Sequence, residues 1–173
     1  MIINSSPLII FSKLNRLDLL KKVFNDIIIS EGVYKEVVEN GLKLNMPDAG
    51  LVKHFVEKNL FTVKRLEEKW KNKVEFLVKI YTQLDIGEAE TIALALQEKE
   101  KILLIDEIAA REVAKLYGLK PYGSLKVLLL AYKNKLLTEK DIKFLLTEMS
   151  THKFRVSAEI INKFWMLFDK LKK

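Results

Sequence analysis

Lys101-Ile102-Leu103-Leu104-Ile105-Asp106-Glu107-Ile108-Ala109-Ala110-Arg111-Glu112-Val113-Ala114-Lys115-Leu116-Tyr117-Gly118 is the stretch that decides the fold. Four consecutive apolar residues without polar alternation describe a strand buried on both faces. Asp106-Glu107 ends it, and Ala110, Val113, Ala114 and Tyr117 then recur at helical spacing. Gly118 and the nearby Pro121 supply the stop signal. A doubly buried strand feeding an amphipathic helix is the unit of a parallel sheet covered by helices.

Outward from this unit the same pattern repeats. Ile2-Ile3, Ile27-Ile28-Ile29 and Phe61-Thr62-Val63 are short β-branched runs. Helical spacing links Leu17, Leu20, Val23 and Phe24, and again Ile92, Leu94, Ala95 and Leu96. The expectation is α/β, a three-layer α/β/α sandwich with a central parallel sheet over residues 1–136. From Thr138-Glu139-Lys140-Asp141 onward no strand pattern remains, so residues 137–173 read as a helical C-terminal extension packed on that body. Ser30 and Ser157 read as N-caps, and Ser124 as the N-cap of a helix over Leu125–Lys135. The charged pattern from Glu67 to Tyr81 reads as a long helix that protrudes or pairs with another copy.

Composition narrows the chemistry. The chain has 173 residues, 49% of them hydrophobic, with 6 glycines and 3 prolines, which suits one sizeable core rather than a linker or a collagen. It has no cysteine, so disulfides, thiol nucleophiles and thiolate metal sites are excluded. His54 and His152 are the two histidines, too few and too far apart in sequence for a multi-histidine site. Thirty basic against 23 acidic residues give a formal charge of +7, which permits a polyanionic partner. No apolar run approaches the roughly 20 residues of a membrane span, and the first residues lack the basic start of an export signal. The expected setting is cytoplasmic, with no membrane partner.

In a parallel sheet ligands bind beyond the carboxyl ends of the strands. There the sequence places Asn4-Ser5-Ser6-Pro7 after the first strand and Asp106-Glu107 after the fourth. Glu36, and Glu88 followed by Glu90, stand on helices that can join them. An oxygen-rich, histidine-poor set suits a hard divalent cation, Mg²⁺ or Mn²⁺, and phosphoryl chemistry. No GxxxxGK[ST] loop is present, which disfavours a P-loop NTPase. Taken singly, each acid also has an ordinary role, as a helix cap or a favourable charge in a first helical turn.

The ordered set Asn4-Ser5-Ser6-Pro7-Leu8-Ile9, Val33-Tyr34-Lys35-Glu36-Val37, Leu84-Asp85-Ile86-Gly87-Glu88-Ala89-Glu90, Leu104-Ile105-Asp106-Glu107-Ile108-Ala109-Ala110-Arg111 and Tyr122-Gly123-Ser124-Leu125 resembles the PIN-domain family, in its small prokaryotic VapC-like branch. The resemblance covers nearly the whole chain and implies a metal-dependent ribonuclease acting as a toxin, with a cognate antitoxin protein and a homodimeric state. It places Asn4, Glu36, Glu88 and Asp106 at the four family acid positions, with Glu107 where the branch often has a second aspartate. Glu36, Glu88 and Asp106 would be catalytic. Asn4, Glu88, Asp106 and Glu107 would serve Mg²⁺ or Mn²⁺, and single-stranded RNA would be the substrate. Arg111, one turn after Asp106, has two readings, pairing with an acid or meeting a phosphate, and the pairing is the one expected.

Two positions depart from the family pattern. Asn4 stands for an aspartate and removes a negative charge, and Leu104 stands where many members carry a hydroxyl. Both favour a second reading, a catalytically impaired PIN-fold module that binds RNA or a protein partner. A phosphatase of another α/β family is disfavoured by the missing Asp-x-Asp after the first strand. Two basic groups are candidate RNA contacts: Lys64 and Arg65 with Lys69, Lys71 and Lys73, and Lys163 with Lys170, Lys172 and Lys173. Apolar helix faces at Leu125–Tyr132 or Phe164–Leu171 are candidates for the dimer contact.

Overall fold

The structure is a computed structural model and describes residues 1–172. Five strands, β1 (Ile2–Ile3), β2 (Ile27–Ser30), β3 (Phe61–Lys64), β4 (Ile102–Leu104) and β5 (Lys120–Tyr122), form one sheet in the order β3-β2-β1-β4-β5. Every pairing is parallel, with Ile2 opposite Ile28 and Leu103, and Leu104 opposite Tyr122. The chain winds outward from β1 through β2 to β3, then returns to build β4 and β5 on the other side. The strand order therefore reverses between β1 and β4, where α/β sheets open a ligand crevice.

Both faces of the sheet are covered, as the absence of polar alternation requires. Successive residues point to opposite sides, so Ile3 and Leu104 join one core while Ile2, Leu103 and Ile105 join the other. The first core is closed by α1 (Ser5–Lys13), α2 (Leu17–Phe24), α5 (Pro47–Glu57) and α9 (Ser124–Lys133). The second is closed by α6 (Glu68–Ile80), α7 (Ile86–Gln97) and α8 (Ile108–Leu116). Between β2 and α5 the chain is helical from Glu31 to Lys43, as α3 (Glu31–Tyr34), a π-helical stretch (Lys35–Asn40) and α4 (Gly41–Lys43). Helix α6 does not protrude; Val74 and Leu77 are buried in the second core.

Two local expectations change. Lys120-Pro121-Tyr122 is a fifth strand, carrying no apolar run. Proline survives there because β5 is an edge strand with one side unpaired. Ser124 is the first residue of α9 rather than its cap. Gly123 takes the cap position, and the Ser124 polar groups turn to Asp106.

The C-terminal helices α10 (Glu139–Thr151) and α11 (Ala158–Leu171) share the first core. Ile142, Leu145, Met149, Phe164 and Phe168 are buried in the same cluster as Leu8, Phe11 and Ile27. Thr138 opens α10 with a reciprocal capping box to Asp141, and Ser157 caps α11. Phe168 is fully buried between Phe164, Trp165 and Tyr132. Emptying that site by Phe168→Ala is expected to cost about 3 kcal/mol or more. The loss should appear in one cooperative unfolding transition followed by circular dichroism. A separate early transition for α10 and α11 would contradict the shared core.

Candidate active site

Asn4 follows β1 and is only 4% exposed, its backbone N–H still donating to the Leu104 carbonyl across the β1/β4 pair. Its side-chain Oδ1 accepts from the Thr91 hydroxyl at 3.1 Å. That hydroxyl shares its one proton with the Gly87 carbonyl, 2.8 Å away and one turn back on α7. Asn4 is thus fixed against the start of α7 at the point where the strand order reverses.

Glu88 lies in the first turn of α7 because Asp85 and Glu88 form a capping box. The Asp85 Oδ1 accepts from the Glu88 N–H at 2.7 Å, and the Glu88 Oε2 accepts from the Asp85 N–H at 2.9 Å. Glu88 is 5% exposed. Burial, supplemented by the Asp85 and Glu107 carboxylates, pushes its pKa up to about 6, against the pull of the Asp85 amide. Glu107, after β4, is near enough to Glu88 on α7 to add to that rise.

Asp106 is clasped by the start of α9. Its Oδ1 accepts from the Ser124 N–H at 2.7 Å and its Oδ2 from the Ser124 hydroxyl at 2.6 Å. Burial nevertheless raises its pKa; the Ser124 hydrogen bonds and the Arg111 charge oppose this, and Glu107 adds to it. Arg111 reaches the same place and acts on Asp106 through its charge, but it forms no ion pair among the described residues. A Cβ on Gly123 would lie 3.2 Å from Asp106 Oδ1 and 3.5 Å from Arg111 Nη1. The Arg111 Nε is buried and has no hydrogen-bond partner.

The two serines after Asn4 hold the remaining acids. Ser5 donates to Glu36 Oε2 at 2.6 Å, and Ser6 donates to Glu107 Oε1. Glu36 comes from the π-helical stretch, a widened turn of a kind frequent at functional sites. A Cβ on Gly87 would sit 3.4 Å from Glu36 Oε2, 3.4 Å from Asp85 Oδ1 and 3.9 Å from Asn4 Oδ1. Glycine at 87 therefore leaves open a small polar space that these groups surround. Gly87→Ala fits without a clash and adds helix propensity, so the fold should keep its melting temperature while the space is filled. A 10- to 100-fold loss of affinity for a divalent cation, roughly the range of disturbed metal surroundings, is the expected outcome in a Mn²⁺ titration. Unchanged affinity in the folded variant would remove functional meaning from that space.

All five sequence-predicted site residues, Asn4, Glu36, Glu88, Asp106 and Glu107, stand at the carboxyl edge of β1 and β4 or on the helices bordering it. Glu90 does not join them; it points back to accept from Ser30 at 2.9 Å over Gly32. Among the described residues no three acids or histidines converge tightly enough to form a ready cage. The reason is visible in the serines, because Asp106, Glu36 and Glu107 are each turned to a separate hydroxyl. The donor set still fits a hard divalent cation. Glu107 keeps a buried Oε2 with no partner, Glu88 is held among negative neighbours, and Gly87 leaves room for a ligand. Such a cation would be held through few carboxylates and several waters, as Mg²⁺ commonly is.

Sequence reasoning missed Thr91 and the clasp of Ser124 on Asp106. Thr91 stands one turn beyond Glu88, on the same face of α7, and that spacing is the signal that could have found it. Leu104, in place of a hydroxyl, is fully buried in the first core. The first basic group is largely occupied. Lys64 pairs with Glu98, Arg65 with Glu31 at 3.6 Å and Lys71 with Glu68 at 2.9 Å. Lys73 lies over the rings of Phe76 and Tyr117, and Lys69 over that of Trp70. In the second, Lys172 pairs with Glu139 at 2.8 Å, and Lys173 lies outside the described residues.

No helix among the described residues is long and apolar enough to cross a membrane. No curated protein matches the chain. A family model described as a PIN domain matches residues 1–170, from β1 to the last turn of α11. That match spans the five-stranded parallel sheet, the acids at its carboxyl edge and both C-terminal helices, and the chain belongs to the PIN-domain family, a nuclease fold.

Proposed function

We propose that the protein is a divalent-metal-dependent endoribonuclease that hydrolyses phosphodiester bonds of single-stranded RNA. The observation that carries this reading is the gathering of Glu36, Glu88, Asp106 and Glu107 around the β1/β4 switch point of a PIN domain. Glu88, Glu107 and Asp106, with the amide oxygen of Asn4, would hold the Mg²⁺ or Mn²⁺. When bound, that ion supplies Lewis-acid polarisation of the phosphate and a more acidic water.

The chain's own residues supply the rest. Glu36, fixed by Ser5, orients the attacking water toward the Gly87 space. Glu88, fixed by the Asp85 N–H at the start of α7, is the carboxylate that accepts that water's proton. Ser124 keeps Asp106 from rotating, so its charge stays aimed at the place where the cation would be held. Arg111 lines the groove beside Asp106 and would donate to a phosphate oxygen through its outer guanidinium nitrogens. Attack forms a P–O bond to the water oxygen and breaks the bond to the ribose 3′ oxygen, which takes up a proton from solvent. The products carry a 5′-phosphate and a 3′-hydroxyl.

Together with the VapC-like sequence pattern, this reading makes the protein the toxin of a toxin–antitoxin pair, acting in the cytoplasm and restrained by a cognate antitoxin. A homodimer is part of the same reading. The apolar faces of α9 and α11 are mostly consumed inside the chain, through Val127, Leu128, Phe164 and Phe168, which leaves the exposed Met166 and Leu171 for a second copy. A monomer by light scattering at micromolar concentration would refute that dimer.

The test is incubation of the purified protein with a labelled single-stranded RNA pool in Mn²⁺, Mg²⁺ or EDTA. Cutting in metal and none in EDTA is the expected result. A folded protein that leaves the pool intact would instead support the catalytically impaired module, which the amide of Asn4 favours.

A further inference from the structure

A groove of about 530 Å³ begins at Asp106 and runs past β5 and the first turns of α9 to the connector Phe154–Ser157 and helix α11. Its lining includes Arg111, Lys126, Arg155 and Lys163, and Asp106 is its one carboxylate. None of these four cations forms an ion pair among the described residues. The basic residues of the β3–α6 region, by contrast, are mostly matched to glutamates or laid over rings. Between the cations the lining is apolar and rigidly backed. Tyr122 is fixed on β5, where its carbonyl accepts from the Ile105 N–H at 2.8 Å, and Lys126 Nζ stands 5.9 Å from its ring. Phe164 is 3% exposed and braced by Trp165 and Phe168.

Cations without ion pairs, set among aromatic and aliphatic residues, suit a ligand that carries both anionic and flat apolar parts. A single nucleic acid strand does this with phosphates and bases. An acidic peptide would match the charges, but the groove opens onto Asp106, where the scissile phosphate would lie. We propose that this groove holds the RNA strand beside the scissile phosphate, with bases on Tyr122 and the apolar floor and flanking phosphates at Arg155 and Lys163. The placement of the scissile phosphate rests on the nuclease reading above. The connector and α11 thereby become a substrate-positioning element and not only a cover for the first core.

Fluorescence anisotropy of a labelled 12-nucleotide single-stranded RNA, titrated with the full chain in EDTA, tests this without cleavage. Arg155 and Lys163 are both exposed, so Arg155→Ala with Lys163→Ala should leave the melting temperature unchanged. The double variant should bind at least about tenfold more weakly. Its log–log salt dependence should fall by about 1.4, or ~0.7 per lost phosphate contact on a single strand. Arg155→Lys with Lys163→Arg should keep most of the affinity, and Lys170→Ala, outside the groove, all of it. Wild-type affinity in the double alanine variant would overturn the proposal. So would a wild type that ignores the RNA, or one that binds a glutamate-rich peptide through these residues instead. The two readings fail separately. Groove-dependent RNA binding without any cleavage in metal would refute the nuclease alone, and cleavage by a protein whose double variant binds normally would refute the groove alone.

Discussion

Asp106→Asn is expected to lower RNA cleavage about a thousandfold while leaving the fold intact. The asparagine carbonyl can still accept from the Ser124 N–H, and its amide can donate to the Ser124 hydroxyl, so both hydrogen bonds of the clasp survive with one reversed. What disappears is the negative charge, at the end of the central sheet where the proposed divalent cation would be held. A thousandfold corresponds to about 4 kcal/mol of transition-state stabilisation, a size ordinary for a buried charge that acts directly on the chemistry. The check is a single-turnover rate beside a thermal melt. A variant that melts like wild type and cuts within tenfold of it would show that Asp106 only ties β4 to α9.

Glu88→Gln is expected to lose activity by two to three orders of magnitude and to become more stable at the same time. The glutamine carbonyl preserves the acceptor for the Asp85 N–H, so the capping box at the start of α7 is retained. Removing the charge relieves the burial and the repulsion from Asp85 and Glu107 that raise the Glu88 pKa to about 6. The sign follows from linkage. A carboxyl with a higher pKa folded than unfolded binds its proton more tightly in the native state, so stability falls as pH rises from about 4.5 to about 6. In EDTA, the melting temperature of Glu88→Gln should exceed that of wild type above pH 6, and the difference should vanish below about 4.5. Stability lost to a functional charge is a common signature of an active site. A stability gain in Glu88→Gln that is the same at pH 4 and pH 8 would mean that the charge is not what destabilises the wild type.

Much of this arrangement is legible in the sequence, for definite reasons. Ile2-Ile3, Ile27–Ile29 and Ile102–Ile105 declare themselves because a strand covered on both faces cannot alternate. β5 is invisible by that rule. Lys120-Pro121-Tyr122 is a strand because β4 offers it a pairing edge, and proline is allowed because the outer side needs no donor. The π-helical turn carrying Glu36 leaves no compositional mark, and a serine after a glycine reads as a cap whether or not an acid nearby claims its hydroxyl. The acids themselves are legible as a set because the sheet rule sends strand-end residues to one edge. Their separation onto Ser5, Ser6 and Ser124 is not, since those contacts span 18 to 101 residues of chain. The charged surface is the least legible part. Lysines in the Lys64–Lys73 group find partners only once the fold is formed, whereas Arg155 and Lys163 come to a groove with Arg111 from different elements.

The end chemistry of the cut separates metal-assisted hydrolysis from other routes of RNA cleavage. A labelled single-stranded RNA, incubated with the wild type in Mn²⁺, Mg²⁺ and EDTA, should yield fragments ending in a 3′-hydroxyl and beginning with a 5′-phosphate in metal, and no fragments in EDTA. Fragments that form equally in EDTA, or that end in a 2′,3′-cyclic phosphate, would contradict a hydrolysis run by the acids at the β1/β4 edge.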